Sequence, residues 1–239
     1  MTNAKPIRVK SEEQFERLRD SIDLEVSHAA DHFYLLKGLE ASRKDYALEM
    51  NESNTFWHLT LLAHRDAVLS HLCRLYDKHE AALSLGKFLV TVKNNRDLFS
   101  DAAFRKRLKD NPHVDRLVTG RAIDDTALEK EFDSVSGGNP LVRKLWKLRD
   151  TVISHTSADN VAKGKHGAAR ASLPVQDIEV LLRRAGTITS KYSLFWGASR
   201  YGGIAGADDY TSTLQWVRKA LAAHRAGVDE QIRQATNAR

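Results

Sequence analysis

Between Phe15 and Leu36 large apolar side chains return every three or four residues, at Phe15, Leu18, Ile22, Val26, Ala29, Phe33 and Leu36. This is the period of an α-helix and not of a strand, and it holds one apolar face for more than about five turns. Ser11-Glu-Glu-Gln14 stands just ahead of it as a capping box. The same helix is expected to run on through Tyr46 and Leu48 toward Met50. So long a stripe has to be covered by other helices. Only 4 prolines and 13 glycines interrupt the 239 residues, and Val, Ile and Thr form no sustained alternating run. The expected fold is therefore an all-α bundle of long antiparallel helices.

Asn51 to Asn54 is a polar break that can cap a second long helix, FWHLTLLAHRDAVLSHLCRLYDKH. Its apolar residues surround much of the circumference, which predicts a place at the centre of the bundle, antiparallel to the first helix. Shorter helices are expected near residues 83–94, 100–109 and 124–133. Asn139-Pro140 opens another, asparagine as N-cap and proline at the first helical position. Residues 157–172 (SADNVAKGKHGAARAS) read as a loop, and Pro174 starts a helix through Val175, Ile178, Leu181, Leu182, Ala185 and Ile188. Gly202 to Gly206 breaks the chain again, and Asp208-Asp209 can cap a last helix through Leu214, Val217 and Leu221. The organisation expected is a tail over residues 1–10, a bundle over 11–200 and a helical extension over 208–239 packed on the bundle.

The balance of 42% hydrophobic and 28% charged residues excludes a disordered chain. A single cysteine, Cys73, excludes an internal disulfide or a cysteine-based zinc site. The first residues turn acidic before any apolar run, and no stretch nears ~18 apolar residues, so neither signal peptide nor membrane span is expected and the cytoplasm is the expected compartment. Charge is uneven. Residues 1–139 carry 21 basic and 23 acidic side chains, residues 140–239 carry 16 and 8. A basic half suits an anionic partner, nucleic acid first, and also suits a solvated surface.

The helix opened by Asn139 carries the sharpest chemistry. Leu141, Leu145, Leu148 and Val152 form one apolar stripe, and Val142, Trp146 and Ile153 a second beside it. Arg149 falls in the second stripe and His155 in the first, ~120° apart and ~9 Å along the axis. Polar groups there need partners. Each alone is explained by structure: a histidine bonded to a carbonyl, an arginine paired with a carboxylate of another helix. Lys144 and Lys147 lie on the polar face. Asp150 points ~100° from Arg149 and ~140° from His155 on a regular helix, toward pairing with Lys147 or Arg143, and reaches the site only where the helix loosens or a second subunit supplies the contact.

Arg149-Asp-Thr-Val-Ile-Ser-His155 resembles the Arg-x(4–6)-His motif of HEPN domains, in which a polar residue such as Asp150 follows the arginine. The stretch FWHLTLLAHRDAVLSHLCRLYDKHEAALSL resembles the AbiU-type branch of that superfamily, named for phage abortive infection. The likeness runs over roughly residues 12–200 and leaves the last helix as an addition. It implies a helical bundle that dimerises to bring two Arg–His motifs together, and a metal-independent endoribonuclease of toxin or antiviral-defence character with no cofactor. Arg149 and His155 are then the catalytic pair and Asp150 a supporting residue. His155 can move protons near neutral pH, and Arg149 can hold the scissile phosphate by two N–H bonds. Lys144, Lys147, Lys163, Lys165 and Arg170 are the candidate RNA contacts. RNA, a second copy of the chain and an antitoxin or regulatory protein are the partners implied. The two apolar stripes of the motif helix point to the same dimer. A non-catalytic HEPN module that binds RNA or a partner protein stands as the alternative.

Other constellations are weaker. His28 and His32 have metal-ligand spacing, with no third ligand in view. His64 and His71 fit packing faces of the second helix, and Arg74 and Asp77 fit pairing across the bundle, where either could orient Arg149 or His155. No phosphate-binding glycine loop, hydrolase triad or helix-turn-helix spacing is present.

Overall fold

Ser11 begins the first helix as its sequence requires. Its Oγ accepts from the Gln14 N–H at 3.3 Å, while the Gln14 side chain accepts from the Lys10 N–H at 2.8 Å. The return half of the capping box thus lands one residue early. In the computed structural model, which describes residues 5–118, 122–150, 173–198 and 208–237, α1 spans Glu12–Ser42. There follow α2 (Ala47–Asn51), α3 (Asn54–Leu75), α4 (Leu85–Asn94), a 3-10 turn (Arg96–Phe99), α5 (Asp101–Arg107), α6 (Val114–Leu117), α7 (Asp125–Val135), α8 (Pro140–Leu148), α9 (Val175–Gly197) and α10 (Tyr210–Asn237). No strand occurs among the described residues. The chain is all-α, and no helix among the described residues is long and apolar enough to cross a membrane.

Where the helices stop follows local chemistry. α1 does not continue through Tyr46. Glu40 to Asp45 offers no large apolar side chain, and the Ser42 carbonyl closes a turn with the Asp45 and Tyr46 N–H groups at 3.0 and 2.9 Å. Ser100 caps α5 and Asp124 caps α7 through side-chain oxygens. Ahead of α10 the Asp208 and Asp209 carbonyls, not their carboxylates, accept from Thr211 and Ser212 at 3.0 Å each.

The chain divides into two compact units, Met1–Ala30 with Ala67–Gly203, and Asp31–Asp66 with Ile204–Arg239. In the first, Phe15 is fully buried and stacks on Trp196 at 4.8 Å, with Phe99 edge-on at 5.2 Å and Phe88 at 5.8 Å. Tyr192 of α9 meets Phe88 and Phe99 edge-on and its hydroxyl donates to Glu131 at 2.6 Å, while the buried Tyr76 donates to the Leu181 carbonyl of α9 at 2.7 Å. Glu25 meets both His71 and Arg74, and His28 stacks on His71, so α1 and α3 run antiparallel here. Arg19 and Asp23 are buried beside the apolar stripe of α1. Burial pushes the Asp23 carboxyl above its usual range, and bonds from Ser193 and Thr189 oppose that shift.

The second unit closes over Leu39, Met50 and Leu214, flanked by Tyr46, Trp57, Leu61 and Tyr210. Gly38 is needed there, because a Cβ would stand 2.6 Å from the Tyr210 hydroxyl. Arg218 binds Glu49 at 2.5 Å and covers the Tyr46 ring at 4.1 Å. The expectation that all of the second long helix is bundle centre is corrected: Phe56 and Leu59 are 60% and 57% exposed, while Val68, Leu69, Leu72 and Leu75 in its other half are buried. Apolar composition alone does not say which half has neighbours to cover it.

Candidate functional site

Asn139 places the motif helix. Its Oδ1 accepts from the Leu141 and Val142 N–H groups at 3.0 and 3.4 Å, and Pro140 occupies the first helical position. Val142, Leu145 and Leu148 are buried, and Trp146 donates its indole N–H to the Tyr76 carbonyl at 2.6 Å. Val142, Leu145 and Leu148 are thus covered by the unit's own residues, Leu141 and Trp146 are half-buried, and Val152 and Ile153 lie outside the described residues.

At Arg149 and Asp150 the helix opens into a wider π-type turn. Arg149 Nη1 donates to Asp77 Oδ1 at 2.7 Å, and Nε donates to Asp150 Oδ1 at 2.9 Å, with Nη2 also 2.9 Å from that oxygen. Lys78 Nζ stands 3.6 Å from Asp150 Oδ2. Burial works against the Arg149 charge, but the bonds from Asp150 and Asp77 outweigh it and raise its pKa. Burial likewise pushes the Asp150 carboxyl up, and Arg149 and then Lys78 more than reverse this. The result is an obligate cation held between carboxylates at the end of a helix. Among the described residues, about two of its five N–H donors have no acceptor.

Asp150 therefore meets Arg149 and Lys78, not the expected Arg143, whose Nη1 instead binds the Gly137 and Gly138 carbonyls at 2.9 and 2.8 Å. Asp77 is the carboxylate on another segment that the sequence offered, beside Arg74, for pairing across the bundle or orienting Arg149 or His155; Arg74 turns to Glu25 instead. Lys78 and Trp146, 5.3 Å apart as cation over ring, were missed as site neighbours. Lys144 is engaged by Asp177 at 2.7 Å, and Lys147 is exposed on the polar face. His155, Lys163, Lys165 and Arg170 lie outside the described residues. Cys73, near Arg149, has its thiol pushed up to about 12 by burial and is a core residue. His32 faces His64 at 2.8 Å between Nδ1 atoms, and His28 faces His71, so the two members of the sequence pair have different neighbours.

Beside the arginine lies a cleft of about 550 Å³. Asp77 and Lys78 stand at its boundary with Arg149, Trp146 and Phe132 line its apolar side, and Ser84, Gly86 and Lys87 bring the start of α4 to it.

This arrangement, a motif arginine at the end of a capped helix in an all-α chain, agrees with one family model. HEPN_AbiU2, described as AbiU2, matches residues 12–233. The chain belongs to that family. The match passes through most of α10, so the last helix, read from sequence as an addition beyond residue 200, lies within it. No curated protein and no solved structure matches the chain.

Proposed function

We propose that this HEPN protein is a metal-independent endoribonuclease of abortive-infection character, working as a homodimer with Arg149 and His155 at a shared site. The observation that carries the reading is Arg149 itself. It is only 18% exposed, permanently charged, fixed by Asp77 and Asp150, and among the described residues keeps N–H donors for a phosphate oxygen. In the reaction the 2′-oxygen attacks phosphorus as its proton passes to a histidine. The 5′-oxygen leaves with a proton from a second acid, giving a 2′,3′-cyclic phosphate and a 5′-hydroxyl. One chain supplies one His155, so a two-fold pairing provides base and acid together. Asp77 and Asp150 hold the guanidinium plane and do not touch RNA.

One observation favours the other reading, a non-catalytic module. Two carboxylates already neutralise Arg149, as in a purely structural ion pair. The decisive experiment incubates wild type, His155→Ala and Arg149→Lys with cellular RNA in EDTA, after circular dichroism shows all three folded. Cleavage by wild type, its loss by ~10²-fold or more in His155→Ala, and nearly equal loss in Arg149→Lys are expected, since lysine lacks the planar fork. Activity that survives in His155→Ala, or stops with the chelator, overturns the mechanism. A wild type inert on every RNA transfers the assignment to the binding module.

A further inference from the structure

The start of α4 is chemically incomplete. Ser84 occupies the N-cap position with extended backbone, yet its side chain makes no capping bond, and the first turn holds no acidic residue. The Leu85, Gly86 and Lys87 N–H groups find no acceptor among the described residues, the ladder beginning with Phe88 donating to the Ser84 carbonyl at 2.8 Å. A ten-residue helix concentrates partial positive charge at that end. Ser84 is only 3% exposed and lines the cleft, and its hydroxyl makes no hydrogen bond among the described residues, which leaves it open to a group bound in the cleft. Lys87, half-buried on the same wall, makes no close ion pair among the described residues, its charge acting on Glu80 only after that of Lys5. Gly86 leaves the approach open, the nearest atom to a Cβ there being Phe132 Cε2 at 3.7 Å.

We infer that this end of α4 is a phosphate-binding subsite for an RNA strand, holding a nucleotide that neighbours the scissile one. The three N–H groups, the Ser84 hydroxyl and the Lys87 ammonium all offer donors to one anion. The other cations of the cleft are occupied: Lys5 by Glu80 at 2.8 Å and Lys78 by Asp150. The acids are divided in the same way. Asp77 is bound to Arg149 and Glu80 to Lys5, while the Asp133 carboxylate makes no bond among the described residues and suits the hydroxyl or amine donors of a nucleoside. The apolar side formed by Phe132 and Trp146 suits a base. A volume of about 550 Å³ admits a nucleotide. Asp77 and Lys78 belong both to this cleft and to the surroundings of Arg149, so a strand bound here continues toward the arginine. The inference rests on the RNA-processing reading for its choice of strand, but not for its phosphate chemistry.

The test is a binding titration of the full chain with a short RNA whose riboses are 2′-O-methylated, so that cleavage cannot occur, alongside uridine monophosphate and inorganic phosphate. Gly86→Asp is the principal variant. A carboxylate in the first turn satisfies the α4 dipole and preserves or raises the melting temperature, while occupying the phosphate position. It should weaken RNA binding at least about tenfold, with Ser84→Ala and Lys87→Gln weakening it about three- to tenfold, and Lys87→Gln should reduce the salt slope by about 0.7. Unchanged affinity in Gly86→Asp and Lys87→Gln overturns the subsite. Uridine monophosphate binding as tightly as the RNA overturns the assignment to a strand. Cleavage assays keep the two ideas apart. A wild type that binds as described but never cuts RNA removes the nuclease alone, and one that cuts RNA with Gly86→Asp unaffected removes the subsite alone.

Discussion

Asp77 Oδ1 accepts from Arg149 Nη1 at 2.7 Å, joining the segment after α3 to the end of α8 across 72 residues of chain. The bond fixes the guanidinium plane from a side opposite in sequence to Asp150, which alone leaves the arginine free to swing with its own helix end. Asp77→Asn keeps an oxygen able to accept from Nη1 and removes the charge. The fold should survive with little change in melting temperature. RNA cleavage should fall about 10- to 100-fold, mostly in kcat, because misplacement of a phosphate-stabilising group is felt in the transition state. A variant cutting at the wild-type rate shows that Asp77 does not position Arg149.

Much of this was legible before any coordinates. The three- and four-residue spacing of α1, the Asn139-Pro140 start of α8 and the misfit of Arg149 on an apolar stripe all follow from local periodicity and capping, which need only neighbouring residues. Asp77 was legible only as one of two candidates, with Arg74, for orienting Arg149 or His155; the approach of the two segments is what selects it. Asp150 was read against an ideal helix and so pointed away, whereas its carboxylate accepts from Arg149 where the helix takes a π-type turn. The incomplete N-terminus of α4 was equally hidden, because a helix expected near residues 83–94 gives no sign of which side chains cap its first turn.

Trp146 is the packing link between the motif helix and the cleft. Its indole N–H donates to the Tyr76 carbonyl at 2.6 Å, and a Cβ at Gly137 would press within 2.7 Å of its Cζ3. Gly137→Ala should therefore destabilise the protein by displacing the ring, by about 1–3 kcal/mol in denaturant unfolding. Trp146→Phe loses the donor and leaves the carbonyl short of a partner, at a cost of about 1 kcal/mol in addition to lost packing. If both variants unfold at the wild-type midpoint, the ring does not anchor this end of α8.

The second unit carries a titrating contact. His32 and His64 meet at 2.8 Å between Nδ1 atoms, an arrangement that needs one ring to donate and the other to accept. Burial, and then His32, hold the His64 imidazole below its usual pKa of 6.5. The unfolded chain therefore binds a proton more readily than the folded one. Stability from this pair is complete above about pH 6.5 and is lost as pH falls through the lowered folded value. Melting temperature should drop between pH 7.5 and pH 5.5, and His64→Gln should make that drop shallower. An identical pH profile in the variant assigns the acid sensitivity elsewhere.

Cations of the basic half should not contribute equally to RNA affinity. Lys144 is held by Asp177 at 2.7 Å, and freeing it for a phosphate would leave that carboxylate without its ion pair. Exchange of one anion for another gains little. Lys163, Lys165 and Arg170, in the small, polar and basic stretch that follows His155 in sequence, have no carboxylate between Lys163 and Pro174 to compete for them. Each phosphate contact on a single strand contributes about 0.7 to the slope of log affinity against log salt. Replacing the three together with alanine should flatten the slope by up to about 2, whereas Lys144→Ala should leave it nearly unchanged and lower stability by less than about 1 kcal/mol. Titration of an uncleavable RNA between low and moderate salt separates the cases. A slope altered by Lys144→Ala and untouched by the triple replacement would place the strand along the exposed face of α8 instead of the segment after it.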